Sequence, residues 1–194
     1  MGKRSFFPRL ALVNLVRNSR YYGPYLLSCG ALAAMYYILR FLTWNEVIQT
    51  VRGAAYLQVM MSIGCFVVAL FSAVLLLYAN SFVMKRRQKE LGLYNILGLE
   101  KRHIAALCFW ETLLCAAVVI PGGIAAGILL SKLILLLLLK LVQIPVQFGF
   151  SVSVRGVGET AALLGVLFLL ALLWNLLRLG RSRPIELLHS DSAG

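Results

Sequence analysis

Glu111 is an acidic residue inside a long apolar run, and it has the clearest potential for chemistry in this sequence. Ionisable side chains inside a membrane are costly and by default mark transport or proton-relay sites. Glu111 lies only about two helical turns from the basic residues that precede the run, so it can also pair with a cation. Two roles remain open for this intramembrane polar site: a structural polar contact, or a part in transport or relay.

The other reactive residue types form no recognisable catalytic or metal-binding pattern. The two histidines, His103 and His189, stand far apart, and no HExxH, GxSxG or paired-aspartate motif occurs. Four cysteines fall inside apolar runs without paired spacing, which predicts small buried side chains rather than a disulfide or metal site. No Walker-type phosphate loop is present. The sequence therefore predicts no enzyme activity, cofactor or nucleotide site in this chain.

The composition places these residues in a membrane protein. Hydrophobic residues make up 61% of the 194 residues, and mean hydropathy is +0.86; soluble proteins are roughly half apolar. A spanning helix needs about 20 mostly apolar residues. Four runs are long enough, so we predict an all-α integral membrane fold with four transmembrane helices. The predicted spans cover about 25–43, 57–84, 104–130 and 157–177.

The distribution of positive charge predicts the orientation of these spans. The net charge is +12, yet 14 of the 19 Lys and Arg residues lie within 1–24, 84–103 and 178–183. Four spans place these three segments on one side of the membrane, and basic segments favour the cytoplasmic side. We therefore predict that both termini are cytoplasmic. We attribute the positive charge to the orientation of the spans and to contact with the lipid bilayer, and not to binding of nucleic acid.

The segment before the first span mixes apolar and basic positions. Residues 6–20 favour an interfacial helix on the cytoplasmic surface that bends at Gly23-Pro24 into the first span; a disordered basic leader is the alternative. The predicted organisation is thus a cytoplasmic interfacial helix at 1–24, a four-span domain at 25–178 and a cytoplasmic tail at 179–194.

The third apolar run is too long to lie entirely within a bilayer. Pro121 predicts a kink near mid-membrane, and we place the membrane exit near Ser131. Residues 132–143 would then form an amphipathic helix on the outer leaflet. Gly123 and Gly127 make a GxxxG pattern, which permits close helix packing either within the chain or between two copies.

A short connector joins the second and third spans. It opens with the basic residues of 85–89 and continues with large apolar residues over two helical turns, and Gly98 can end that helix. The apolar residues are Leu91, Leu93, Tyr94, Ile96 and Leu97. A solvated basic loop has no reason to carry so many apolar side chains. The pattern therefore favours a short helix that binds a soluble partner.

These residues resemble a known family. Lys-Arg-Arg-Gln-Lys-Glu-Leu-Gly-Leu-Tyr at 85–94 and Asn-Ile-Leu-Gly-Leu-Glu-Lys-Arg-His-Ile at 95–104, followed by Phe109-Trp110-Glu111, resemble the cytoplasmic connector of FtsX-like ABC-transporter permeases. Within that family, the resemblance is to the permeases of Gram-positive bacteria that detoxify the antimicrobial peptides bacitracin and lantibiotics. Residues 11–18 and 183–188 resemble that family's opening and its exit from the fourth span, so the resemblance covers essentially the whole chain.

The resemblance implies a permease subunit in the bacterial plasma membrane whose connector is a coupling helix. Such a helix docks in a groove of a separate cytoplasmic ABC ATPase and passes ATP-driven movement to the spans, for export or removal of antimicrobial peptides such as bacitracin or lantibiotics. The family's ATPase-binding residues correspond by position to Glu90, Leu91, Gly92, Leu93, Tyr94, Leu97, Gly98 and Leu99.

The chain also departs from that subgroup. Its members have further spans, a large extracellular domain and a second connector, whereas this chain resembles only their first four-span portion. A second permease chain, or a missing C-terminal half, would complete the transporter. The alternative function is a small tetraspan scaffold or regulatory protein without a transport cycle, and a membrane enzyme is less favoured because no catalytic constellation is present.

Overall fold

The computed structural model describes residues 6–45, 53–96, 101–141 and 152–181. These residues form five helices, which we number along the chain. They are α1 (Phe6–Arg17), α2 (Ser19–Thr43), α3 (Ala54–Ile96), α4 (Lys101–Leu141) and α5 (Val154–Arg181).

Helices α2 to α5 are long and apolar enough to cross a membrane. The candidate spans are Ser19–Thr43, Ala54–Arg87, Arg102–Leu138 and Val154–Leu179. Each contains the corresponding predicted run, so the prediction of an all-α fold with four spans is confirmed. Large apolar side chains of α3, including Phe66, Leu70 and Phe71, are exposed, as expected for a surface that faces lipid.

The first break in the helices lies at Asn18, not at Gly23-Pro24 as the sequence predicted. The carbonyl of Asn18 accepts hydrogen bonds from the amides of Tyr21 and Tyr22 at 2.9 and 3.2 Å, so α2 begins directly after it. Pro24 lies in the second turn of α2, where its missing amide removes only one backbone hydrogen bond. The predicted interfacial segment is helical, as α1, and its position along the membrane surface stays a prediction.

The described part of the connector is not a separate short helix, but a continuation of the second span. Helix α3 continues without interruption from Ala54 to Ile96, so Glu90 to Tyr94 lie on the same helix as the second span. Residues 85–91 are Lys, Arg, Gln, Glu and Leu, which are good helix formers, and Gly92 is the residue of 85–96 that weakens the helix most. Leu97, Gly98 and Leu99 lie outside the described residues.

Helix α4 is also continuous, from Lys101 to Leu141, with Pro121 inside it. The predicted outer amphipathic helix is therefore not a separate element: residues 132–141 prolong α4, while 142 and 143 lie outside the described residues. Leucine-rich sequence after Ser131 offers no residue that would end a helix. Whether the chain leaves the membrane at Ser131 stays a prediction.

The described helices contribute to two compact units. The first unit is built from the described residues of 1–26, 75–117 and 166–194, and the second from those of 27–74 and 118–165. The core of the first unit includes Met84, Ile104 and Cys108. The core of the second unit includes Tyr37, Phe41, Leu42 and Ile124. All four cysteines of the chain are buried, in agreement with the sequence prediction.

The GxxxG glycines pack within the chain, in the second unit. A Cβ atom at Gly123 would collide with the side chain of Ala33 and would lie 2.9 Å from the carbonyl oxygen of Gly30. A Cβ atom at Gly127 would lie 3.1 Å from the Cα of Ala34. Helices α2 and α4 therefore approach each other closely because both positions lack a side chain. This contact favours the intrachain alternative.

Replacing Gly123 by leucine is expected to destabilise the folded chain by about 1–3 kcal/mol, because the new side chain would overpack the contact with α2. The measurement is the free energy of unfolding in detergent micelles, by titration with sodium dodecyl sulfate. Gly122→Leu is the matched control, since a Cβ atom at Gly122 meets nothing within 4 Å. Equal stability of the two variants would contradict the close packing.

Candidate functional site

Glu111 lies in a buried polar cluster of the first unit, which we call the Arg87 cluster (Asn14, Tyr22, Arg87 and Glu111). Glu111 is 4% exposed and Arg87 is 2% exposed. Oε2 of Glu111 forms an ion pair with Nη1 of Arg87. Oε1 of Glu111 accepts a hydrogen bond from Nδ2 of Asn14 at 3.2 Å. Both carboxylate oxygens are therefore engaged.

Arg87 also contacts the first span. Its Nη1 donates a hydrogen bond to the hydroxyl of Tyr22 at 2.8 Å, and its guanidinium carbon lies 5.8 Å from the centre of the Tyr22 ring. The cluster thus takes one residue from each of α1, α2, α3 and α4. A buried ion pair is tolerated only when its remaining donors and acceptors find partners, and Asn14 and Tyr22 supply two of them.

The arrangement suits a structural cluster better than an open ion-binding site. The positive charge of Arg87 neutralises Glu111, and each carboxylate oxygen already has a partner, so a transported ion or proton would have to compete with Arg87 for the carboxylate. The geometry therefore favours the first of the two roles that the sequence left open for Glu111. A part in transport or relay stays a prediction.

A second polar contact lies on the same side of α3. Asn80 precedes Arg87 by two helical turns, and its amide pairs reciprocally with that of Asn175 on α5. Nδ2 of Asn80 donates to Oδ1 of Asn175 at 2.9 Å, and Nδ2 of Asn175 donates to Oδ1 of Asn80 at 3.1 Å. Both residues are buried. Hydrogen bonds between polar side chains of neighbouring helices commonly help helices to associate in membrane proteins.

The second unit contains its own charged cluster, formed by Arg40, Trp44, Arg155 and Glu159. Glu159 forms ion pairs with Arg40 and, at 3.2 Å, with Arg155. The guanidinium carbon of Arg155 lies 3.7 Å from the centre of the Trp44 ring, which is a cation–π distance. The side chain of Arg155 is 63% exposed. This cluster joins the end of α2 to the beginning of α5.

Several of these residues were not selected from the sequence as members of a site. Arg87 stands among four cations in 85–89, and a local pattern does not show which of them points inward. The available signal was the seven-residue spacing from Asn80, a polar residue in an otherwise apolar run. Glu159 had a weaker signal, its spacing of four from Arg155.

Of the eight predicted ATPase-binding residues, Glu90, Leu91, Gly92, Leu93 and Tyr94 lie on the described backbone of α3. Positions 91 and 94 follow Arg87 by four and seven residues, so both fall on the side of the helix that carries Arg87. Their role in binding an ATPase stays a prediction.

Comparison with known proteins decides the family. A sequence profile described as FtsX-like permease C-terminal matches residues 62–184. This match covers more than half of the chain. The chain belongs to the FtsX-like permease family. The family resemblance predicted from the connector is thereby confirmed, as is the prediction of a multi-pass membrane ABC permease.

Curated relatives of this FtsX-like permease fit the same assignment. It is 30% identical over 171 residues to the bacitracin export permease protein BceB of Bacillus subtilis (strain 168), a match that covers 86% of this chain and 26% of that protein. It is 28% identical over 188 residues to the protein of the same name from Halalkalibacterium halodurans, covering 95% of this chain and 28% of that protein. The uncharacterised ABC transporter permease YvcS of Bacillus subtilis is 25% identical over 183 residues.

These matches are partial with respect to the relatives. The FtsX-like permease chain spans only about a quarter of the length of the curated relatives it matches. This chain is therefore a membrane permease component of that family. The activity of the full-length relatives is not assigned to it on the basis of these partial matches.

Proposed function

We propose that this chain is the membrane-spanning subunit, or an N-terminal portion of one, of an ABC transporter that exports or removes antimicrobial peptides such as bacitracin or lantibiotics. The observation that carries the proposal is the similarity to two bacitracin export permeases over most of this chain. ATP hydrolysis is supplied by a separate cytoplasmic ATPase, since this chain contains no phosphate-binding loop.

The connector provides the proposed route between the two subunits. Leu91, Tyr94 and Leu97 occupy positions i, i+3 and i+6, which suits an apolar helix face in a groove of the ATPase. Glu90, Gly92, Leu93, Gly98 and Leu99 complete the proposed contact. The continuity of α3 from Ala54 to Ile96 supports this route, because a helix without a break passes movement from the connector into the second span.

Recognition of the peptide is proposed to involve more than this chain. The relatives that carry the name bacitracin export permease are much longer than the matched region. A second permease chain, or a missing C-terminal half, would complete the transporter.

The function is tested by purifying the chain from its native membrane and identifying the proteins that elute with it. We expect a P-loop ATPase to co-purify and the complex to hydrolyse ATP. Deletion of the gene is expected to increase sensitivity to bacitracin or to a lantibiotic, and expression of the intact gene should restore resistance. Recovery of a stable chain without an ATPase, indifferent to ATP, would favour the tetraspan scaffold instead.

The proposed orientation places both termini in the cytoplasm of the bacterial cell. Cysteines introduced as Gln88→Cys and Ser192→Cys should then be shielded from an impermeant thiol reagent in intact cells. A cysteine introduced as Val154→Cys should react, because Val154 begins the fourth candidate span, on the outer side of the membrane in this orientation. The measurement is gel-shift labelling before and after lysis. Labelling of Gln88→Cys from outside the cell would reverse the orientation.

A further inference from the structure

The Arg87 cluster lies directly before the segment proposed to bind the ATPase. Arg87 is followed on the same uninterrupted helix by residues 88–96. Buried side chains of α3 precede it at Asn80, Val83 and Met84, which lie seven, four and three residues before Arg87, as one helix face requires. The inward-facing side of α3 in the first unit therefore includes Arg87.

Residues of α2 and α4 hold Arg87 directly, and a residue of α1 holds it through Glu111. Glu111 on α4 attracts its charge, Tyr22 on α2 accepts one of its hydrogen bonds, and Asn14 on α1 holds the other oxygen of Glu111. The buried contacts of Val83 and Met84 and the Asn80–Asn175 amide pair hold α3 up to Arg87, but the dispersion attraction of apolar contacts has no preferred direction at each atom pair. A hydrogen-bonded ion pair fixes both distance and direction.

We propose that the Arg87 cluster positions the connector: it fixes the direction in which residues 88–96 of the first unit continue beyond Arg87. Because the helical backbone is continuous between Arg87 and Ile96, the segment cannot rotate about the helix axis without moving the guanidinium. Arg87 and Glu111 are positioning residues, and Asn14 and Tyr22 hold them in place. The use of this positioning to transmit movement from an ATPase rests on the proposed function, whereas the positioning itself does not.

The sharpest test measures the direction of the segment without any partner. Spin labels are attached at Asn95→Cys on α3 and Phe109→Cys on α4, in a background with the four native cysteines replaced by alanine. Phe109 is 44% exposed and accessible to a label. Double electron–electron resonance then gives the distribution of distances between the labels in detergent micelles. We expect one narrow distribution in the otherwise unaltered chain.

Two variants should lose that narrow distribution. Arg87→Met removes the charge at similar length, and Glu111→Gln removes the charge while retaining the shape. Arg87→Lys keeps a cation and should keep a distribution close to the original. Arg86→Met is the matched control, since Arg86 is exposed and its guanidinium carbon lies 5.3 Å from the centre of the Phe82 ring. An unchanged distribution in Arg87→Met would overturn the proposal.

A second pair of spin labels tests whether a variant disturbs only the connector or the whole fold. Met60→Cys and Gly158→Cys lie at exposed positions of the second unit, and their distance distribution should be the same in every variant. Broadening of both pairs in Arg87→Met would also overturn the proposal, because the cluster would then hold the whole fold and not direct the segment. Neither measurement uses ATPase or nucleotide, so each outcome is independent of the co-purification test of function.

Discussion

Replacing Glu111 by leucine is expected to lower the free energy of unfolding by about 3–5 kcal/mol, which is the typical cost of removing one partner of a buried ion pair. Arg87, which is 2% exposed, would keep its charge in an apolar interior without its carboxylate. The amide of Asn14 would lose its acceptor as well. The measurement is titration of the purified chain with sodium dodecyl sulfate in mixed micelles, followed by circular dichroism or tryptophan fluorescence.

The double variant Arg87→Leu with Glu111→Leu provides the control. It removes both charges, so it should cost much less than the sum of the two single substitutions. Arg155→Leu is a second control: its side chain is 63% exposed in its pair with Glu159, and such pairs contribute about 0–1 kcal/mol. Additive costs in the double variant would show that Arg87 and Glu111 do not interact as the structure indicates.

The double substitution Tyr94→Ala and Leu97→Ala is expected to abolish co-purification of the proposed ATPase partner while leaving membrane insertion unchanged. Truncating an anchor at the centre of an interface costs about 2 kcal/mol or more. Two such losses total roughly 4 kcal/mol, or about a thousandfold in affinity. Co-purification from matched amounts of inserted protein measures the effect.

Arg86→Gln is the comparison for that experiment. It changes an exposed charge beside the connector, and rim charges contribute little to affinity, so recovery of the ATPase should fall only modestly. Arg87 is unsuitable for this purpose, because its buried ion pair makes its substitution a change of structure as well as of charge. Equal recovery from the double variant and the unaltered chain would remove the connector as the docking site.

Hydropathy sufficed to predict the four spans, because length and apolar composition are local properties of the sequence. The predicted bend between the first helix and the first span was less accurate. Pro24 lies inside α2, since a proline removes one backbone hydrogen bond and packing against neighbouring helices can compensate for it. A local sequence pattern does not contain those neighbours. The kink predicted at Pro121, which lies inside α4, stays a prediction.

The polar cluster could be predicted only in part. Glu111 was evident as an acid in an apolar run, and its need for a partner follows from the cost of a buried charge. The identity of that partner did not follow, because four cations of 85–89 were within reach along the chain. Choosing Arg87 among them requires the rotation of α3, which the contacts of Asn80, Val83 and Met84 with the rest of the first unit determine.

The uninterrupted length of α3 has a mechanical consequence. At 1.5 Å per residue, Ile96 lies about 14 Å beyond Arg87 along the helix axis. A tilt of this stiff helical segment by about 10° at Arg87 would therefore displace Ile96 sideways by only roughly 2–3 Å. The nearer a fixed point lies to the end of a stiff helix, the smaller the displacement that a given tilt produces at that end.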